Sequence, residues 1–134
     1  MGRSIGSGPA TYLASWNSKL GGLILATPLT SIADAAPDWY YSIYPVNLML
    51  HTHFENAAAI ASVRVPVLIL AGTADTIAPP WMAQKIFNRA NGPKRLYMVA
   101  GAAHNNLLTI GGAAATQALK DFVQGASARY PLPK

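Results

Sequence analysis

Ser4 stands in Gly2-Arg3-Ser4-Ile5-Gly6, a G-x-S-x-G arrangement. Glycines on either side let the backbone make a sharp strand-to-helix turn, which lifts the serine hydroxyl clear of its own main chain. A helix opening just after it aims its first amides back at that hydroxyl, and the N–H of Ile5 is then placed to bind an oxyanion. Taken alone, the pattern fits a flexible Gly-Ser segment equally well. A serine nucleophile also needs a base to take its proton and a carboxylate to orient the base. Asp75 follows an apolar run, in Ala71-Gly72-Thr73-Ala74-Asp75. It reads as a site carboxylate just past the end of a parallel strand, or as a turn and cap residue ahead of Pro79-Pro80. His104 follows the next apolar run, in Gly101-Ala102-Ala103-His104-Asn105-Asn106. A lone loop histidine says little, but one strand beyond Asp75 a carboxylate–imidazole hydrogen bond is geometrically natural. The order serine, acid, histidine, at separations of 71 and 29 residues, carries more than any member by itself.

Those three residues need elements to hold them. Three continuous apolar runs read as buried parallel strands, Gly22–Ala26, Val65–Ala71 and Arg95–Val99. Helical patterns lie around them. Pro9–Lys19 carries Tyr12, Leu13 and Trp16 at helical spacing. Pro79-Pro80 opens a second helix with Met82, Ile86 and Ala90 on one face, and Asn91-Gly92-Pro93 stops it. A third runs from about Ala113 to Val123, with Gly125 ending it and residues 126–134 fraying. Alternating strands and helices define an α/β layer fold with a parallel sheet. Residues 28–62 are too long for a simple connection and hold Trp39, Tyr40, Tyr41 and Tyr44, so they read as a lid or binding wall.

Composition excludes several classes. Hydrophobic residues make up 51% of the 134 and charged residues only 11%, against roughly 25% charged in an average domain. That rules out a disordered tail or a coiled coil and suggests a chain with much surface to hide. The net charge of +5 comes from scattered residues, with Lys94-Arg95 the lone adjacent basic pair. Without an aromatic-interleaved basic stripe, nucleic acid is not an expected partner. There is no cysteine, so disulfides, zinc–thiolate sites and cysteine nucleophiles are out. His51, His53 and Glu55 suggest a metal site by type alone, but divergent side chains on a helix or loop do not close a tetrahedral shell. The opening residues do not read as a signal peptide, and the uncharged stretch from Leu96 to Leu119 reads as strand, loop and helix rather than a membrane span.

Four stretches, Gly2–Ala10, Leu23–Ile32, Val65–Pro80 and Lys94–Leu107, together resemble the C-terminal half of an α/β-hydrolase superfamily serine hydrolase. The closest likeness is to the branch with an extended G-R-S-x-G-S-G-P-A elbow. The resemblance implies Ser4 as nucleophile, His104 as general base and acid, Asp75 as the group orienting His104, and no metal or cofactor. It implies cleavage of an ester, thioester or amide through an acyl-enzyme, on a small acyl-containing substrate or an acylated protein or peptide. In such enzymes five strands precede the elbow, and a loop after the third supplies a second oxyanion donor. Neither has a counterpart here. The expectation is a single partial domain over 1–134, an incomplete α/β-hydrolase fold of about three parallel strands, truncated or split and weak or inactive alone. The Leu23-Ile24-Leu25 strand would then expose a bare apolar edge, inviting a second copy of the chain or a missing N-terminal half. The competing expectation is a non-catalytic interaction module derived from the same fold. Localisation stays open, with the cytoplasm as default.

Overall fold

The computed structural model describes residues 1–35 and 55–129. Its centre is a four-stranded, wholly parallel sheet in the order β1-β2-β3-β4, formed by Gly2–Arg3, Leu23–Ala26, Val67–Gly72 and Lys94–Val99. Between and after them come helices α1 (Ser7–Trp16), α2 (Ile32–Ala35), α3 (Asn56–Ala59), α4 (Pro80–Arg89) and α5 (Leu107–Arg129), plus 3-10 turns at Ser4–Gly6 and Ile60–Ser62. Among the described residues, no helix is long and apolar enough to cross a membrane.

Strand β3 explains why the sheet is sandwiched. All six of its residues are buried, and their side chains alternate between two apolar layers. Val67, Ile69 and Ala71 join Leu25, Ile60, Val63 and Ile86 on the side of α1 and α4. Leu68 and Leu70 join Val99, Leu107 and Ala115 on the side of α5. A strand buried on both faces has no polar half to alternate, hence the continuous apolar run in the sequence.

Three elements differ from the sequence expectations. The sheet has four strands, not three, because Gly2 and Arg3 pair with Leu25 and Ala26. The edge of β2 is therefore covered at its C-terminal end, while Leu23 and Ile24 have no β1 partner. Second, α1 begins at Ser7 and turns Tyr12, Leu13 and Trp16 outward, with Trp16 77% exposed. Its buried face is Ser7, Gly8, Thr11 and Ala14, small residues that let the helix lie close on the sheet. Third, α5 is broken into two helical stretches, the second starting near the expected Ala113 and running past the expected end. It kinks at Gly112, where φ is 52° and ψ −136°, and continues through Gly125 to Arg129. A helical glycine costs about 1 kcal/mol relative to alanine, which the packing of Leu119 and Phe122 on the α5-side core offsets.

Of the expected lid, only the flanks fall among the described residues. They are tied together, since Ala57 N–H donates to Thr30 O at 3.1 Å, and α3 packs on α1 and α4. Lys85 reaches Asp34 at 3.5 Å, linking α4 to α2. The Thr30 hydroxyl above all, and then Lys85, hold the Asp34 carboxyl below its ordinary value against the opposing effect of burial. The aromatics Trp39, Tyr40, Tyr41 and Tyr44, with His51, His53 and the last five residues, lie outside the described residues.

Candidate active site

Ser4 leaves β1 and enters the 3-10 turn that leads into α1, with φ at +51°. A non-glycine residue in the left-handed region costs on the order of 1–3 kcal/mol and persists only where its surroundings enforce it. Here Gly2 shows the enforcement. A Cβ on Gly2 would stand 2.5 Å from Gly6 O and 2.6 Å from Ala10 Cβ, so strand and helix meet over a bare glycine. Gly6 differs, because it has helical dihedrals and open space where a Cβ would go. One of the two glycines in the pattern is thus sterically required and the other is not. Gly2→Ala should cost about 3 kcal/mol or more, from overpacking against backbone. Gly6→Ala should leave stability unchanged or raise it by up to about 1 kcal/mol. Urea unfolding of both variants checks this contrast.

Asp75 and His104 come from the turns after β3 and β4. Asp75 is buried, and its two oxygens divide the work. Oδ1 accepts the N–H groups of Ile77 at 2.9 Å and Ala78 at 2.8 Å. Oδ2 faces His104 Nδ1 at 2.9 Å. One Asp75 oxygen thus caps the turn and the other faces the imidazole. His104 is 8% exposed, and its Nε2 lies 2.8 Å from Ser4 Oγ. In the tautomer with hydrogen on Nδ1, the ring would donate to Asp75 and its Nε2 would accept the serine hydroxyl. The Ile5 amide follows directly, inside the first turn, where 3-10 and α-helical amides have no partner within the helix.

The two turns are sewn to each other by main chain. Thr73 N–H donates to Val99 O at 3.0 Å and Ala74 N–H to Ala102 O at 3.0 Å, while Gly101 N–H donates to Thr73 Oγ1 at 2.8 Å. Within the His104 turn, Ala103 N–H donates to Asn106 Oδ1 at 2.7 Å. Across the elbow, buried Asn56 Nδ2 donates to Ser7 Oγ at 3.0 Å and to Leu29 O at 2.8 Å, anchoring α1 to both flanks of the central segment. Asn56, Ser7, Asn106 and Thr73 were not singled out from the sequence as site residues, although Ser7 lies within the elbow pattern. Thr27 repeats the conformation of Ser4. Its φ is +46°, and it follows Ala26, which pairs with Arg3, so the two left-handed residues end neighbouring strands. Among the described residues, no three His, Asp or Glu side chains gather where they could hold a metal ion.

No protein-family model matches the chain. An uncharacterised protein of Mycobacterium tuberculosis is 32% identical over 122 residues, which cover 91% of this chain and 43% of that protein. An alpha/beta hydrolase domain-containing protein of Arabidopsis thaliana is 29% identical over 102 residues, 66% of this chain and 33% of its own length. The chain thus spans less than half the length of these curated relatives. Among solved structures, the monoacylglycerol lipase of Paleococcus ferrophilus superposes with a TM-score of 0.71 at 17% identity, over 92% of this chain and 67% of that one. Parallel strands in sequential order, helices on both faces and the Ser4 elbow at a strand end together identify the fold: it is that of the α/β-hydrolase superfamily.

Proposed function

We propose that the chain carries the chemistry of a serine hydrolase, cleaving an ester, thioester or amide bond of a small acyl-containing substrate or an acylated protein or peptide. One observation carries this reading, the unbroken line Ser4 Oγ, His104 Nε2, His104 Nδ1, Asp75 Oδ2 with contacts of 2.8 and 2.9 Å. The fold shared with a monoacylglycerol lipase favours esters among the three bond types.

In this reading His104 Nε2 takes the Ser4 proton as Oγ bonds to the acyl carbon. The carbonyl electron pair moves onto oxygen, where the Ile5 N–H and the first turn of α1 meet it. Collapse breaks the bond to the leaving group, which leaves with the proton from His104 Nε2. Water then repeats the sequence on the acyl-enzyme and returns Ser4 and His104 to their starting states. Asp75 holds the imidazole in the tautomer with Nδ1 protonated and stabilises it while it is charged.

The test is a fluorophosphonate probe on the purified chain, with the adduct mapped by mass spectrometry. Labelling at Ser4, lost in Ser4→Ala with an unchanged circular dichroism spectrum, is the expected result. A folded, soluble chain that takes no label would sink the reading.

A second reading rests on an open backbone edge, since Leu23 and Ile24 lack a β1 partner, and on the exposed side chains of Ile5, Tyr12, Leu13 and Trp16. Such surfaces mark assembly sites, which would make the chain an interaction module that binds a second copy or another chain. Under that reading Ile24→Lys abolishes assembly in sedimentation experiments and Ser4→Ala changes nothing.

A further inference from the structure

Sheet order sets a positioning problem. Ser4 leaves the strand at one edge, and the turn carrying His104 leaves the strand at the other. The Asp75 carboxylate and the main-chain stitches hold that turn to β3, and none of those bonds reaches β1. Arg3 does. Its Nη2 donates to His104 O at 3.1 Å and to Asn105 Oδ1 at 2.8 Å, across 101 and 102 residues of sequence. Apart from the Ser4–His104 contact itself, these are the side-chain hydrogen bonds that join the elbow to the histidine turn among the described residues.

The Arg3 main chain is fixed by β1, where it pairs with Ala26 immediately before the strained Ser4. Its guanidinium therefore acts as a strut between two rigid points: the backbone that aims the nucleophile and the backbone that aims the base. A planar guanidinium holds two acceptors in one geometry, which a flexible ammonium does less well.

We infer that Arg3 is a positioning residue, setting the reach of His104 Nε2 to Ser4 Oγ by holding the His104–Asn105 backbone against the elbow. The inference rests on the serine-hydrolase reading above. It gives a role to the variable residue of the G-x-S-x-G pattern on the near side of the serine. Arg3 touches neither reacting atom, so its effect runs through His104.

Misplacing a catalytic group by about 1 Å can cost on the order of 10²-fold in rate. Arg3→Ala should therefore slow fluorophosphonate labelling of Ser4 by about 10–100-fold. In ester hydrolysis kcat should fall while KM barely moves. Arg3→Lys should recover part of the rate. Asn105→Ala should cost less than Arg3→Ala, and the double variant no more than Arg3→Ala, because the two residues share one contact. Two further measurements separate positioning from general stability: thermal melting, expected to shift little because Arg3 is exposed, and amide hydrogen exchange. In Arg3→Ala, exchange should quicken at residues 103–106 while β3 stays protected. Exchange reads the strut without any turnover. If the wild-type chain takes no label but Arg3→Ala loosens the turn, the hydrolase reading fails and the strut stands. If Arg3→Ala labels at the wild-type rate, or the turn exchanges as before, Arg3 is not a positioning residue.

Discussion

His104→Ala lowers the rate of Ser4 acylation by about 10⁶-fold, the scale seen when a serine–histidine pair loses its base. The size follows from what remains. Without the imidazole no hydrogen-bonded base faces Ser4 Oγ among the described residues, and the 2.8 Å contact disappears with it. Asp75→Asn is the informative partner. The amide oxygen can still cap Ile77 and Ala78, since the bonds to Oδ1 need only an acceptor. The NH₂ then faces His104 Nδ1 and favours the tautomer with hydrogen on Nε2, which cannot accept from Ser4. A loss of about 10⁴-fold is expected with the turn intact. Labelling kinetics and ester hydrolysis across a pH series measure both. Wild-type labelling in His104→Ala would show that Ser4 reacts without this base, and the hydrolase reading would go with it.

What could be read from the sequence was local. The runs behind β2 and β3 were visible within two residues because strands buried on both faces leave continuous apolar runs; β4 was placed as closely, but it is an edge strand in which Val99 alone is buried, so the expected burial does not hold there. Ser4 stood out by its G-x-S-x-G setting, and Asp75 and His104 because each follows an apolar run, the ends of successive parallel strands lying side by side. What escaped was short or distant. Strand β1 is two residues, Gly and Arg, with no apolar signal; only its register with Leu25 and Ala26 makes it a strand. On α1 the large side chains misled. Tyr12, Leu13 and Trp16 carry the helical period, yet the face on the sheet is Ser7, Thr11 and Ala14. Close helix–sheet approach selects for small size, which a hydrophobicity pattern does not rank. The bonds from Arg3 span more than a hundred residues, so no spacing rule finds them. Gly125 looked like a helix end, but the helix continues past it to Arg129.

The site is assembled from turns more than from strands, and that decides where it is most fragile. Asp75 and His104 meet because the chain after β3 and the chain before His104 run in main-chain contact, with Ala102 O accepting from Ala74 N–H. Space for that contact exists only because residue 72 has no side chain. A Cβ there would lie 2.1 Å from Ala102 O and 2.7 Å from its carbonyl carbon. The obstacle is backbone, so no rotamer change relieves it. Gly72→Ala must push the two turns apart, and the Thr73–Val99, Ala74–Ala102 and Gly101–Thr73 bonds stretch or break together. Overpacking typically costs about 1–3 kcal/mol and occasionally more; a clash with backbone at buried Gly72, together with the lost bonds between the turns, puts this case at the upper end. The expected result is a urea midpoint well below that of wild type and loss of Ser4 labelling even in the fraction that remains folded, because the 2.9 Å Asp75–His104 contact depends on the same approach. Gly6→Ala, which meets nothing within 4 Å, serves as the control for adding a methyl group near the elbow. A Gly72→Ala protein that unfolds at the wild-type midpoint and labels at the wild-type rate would mean that the two turns do not hold the site together in this way.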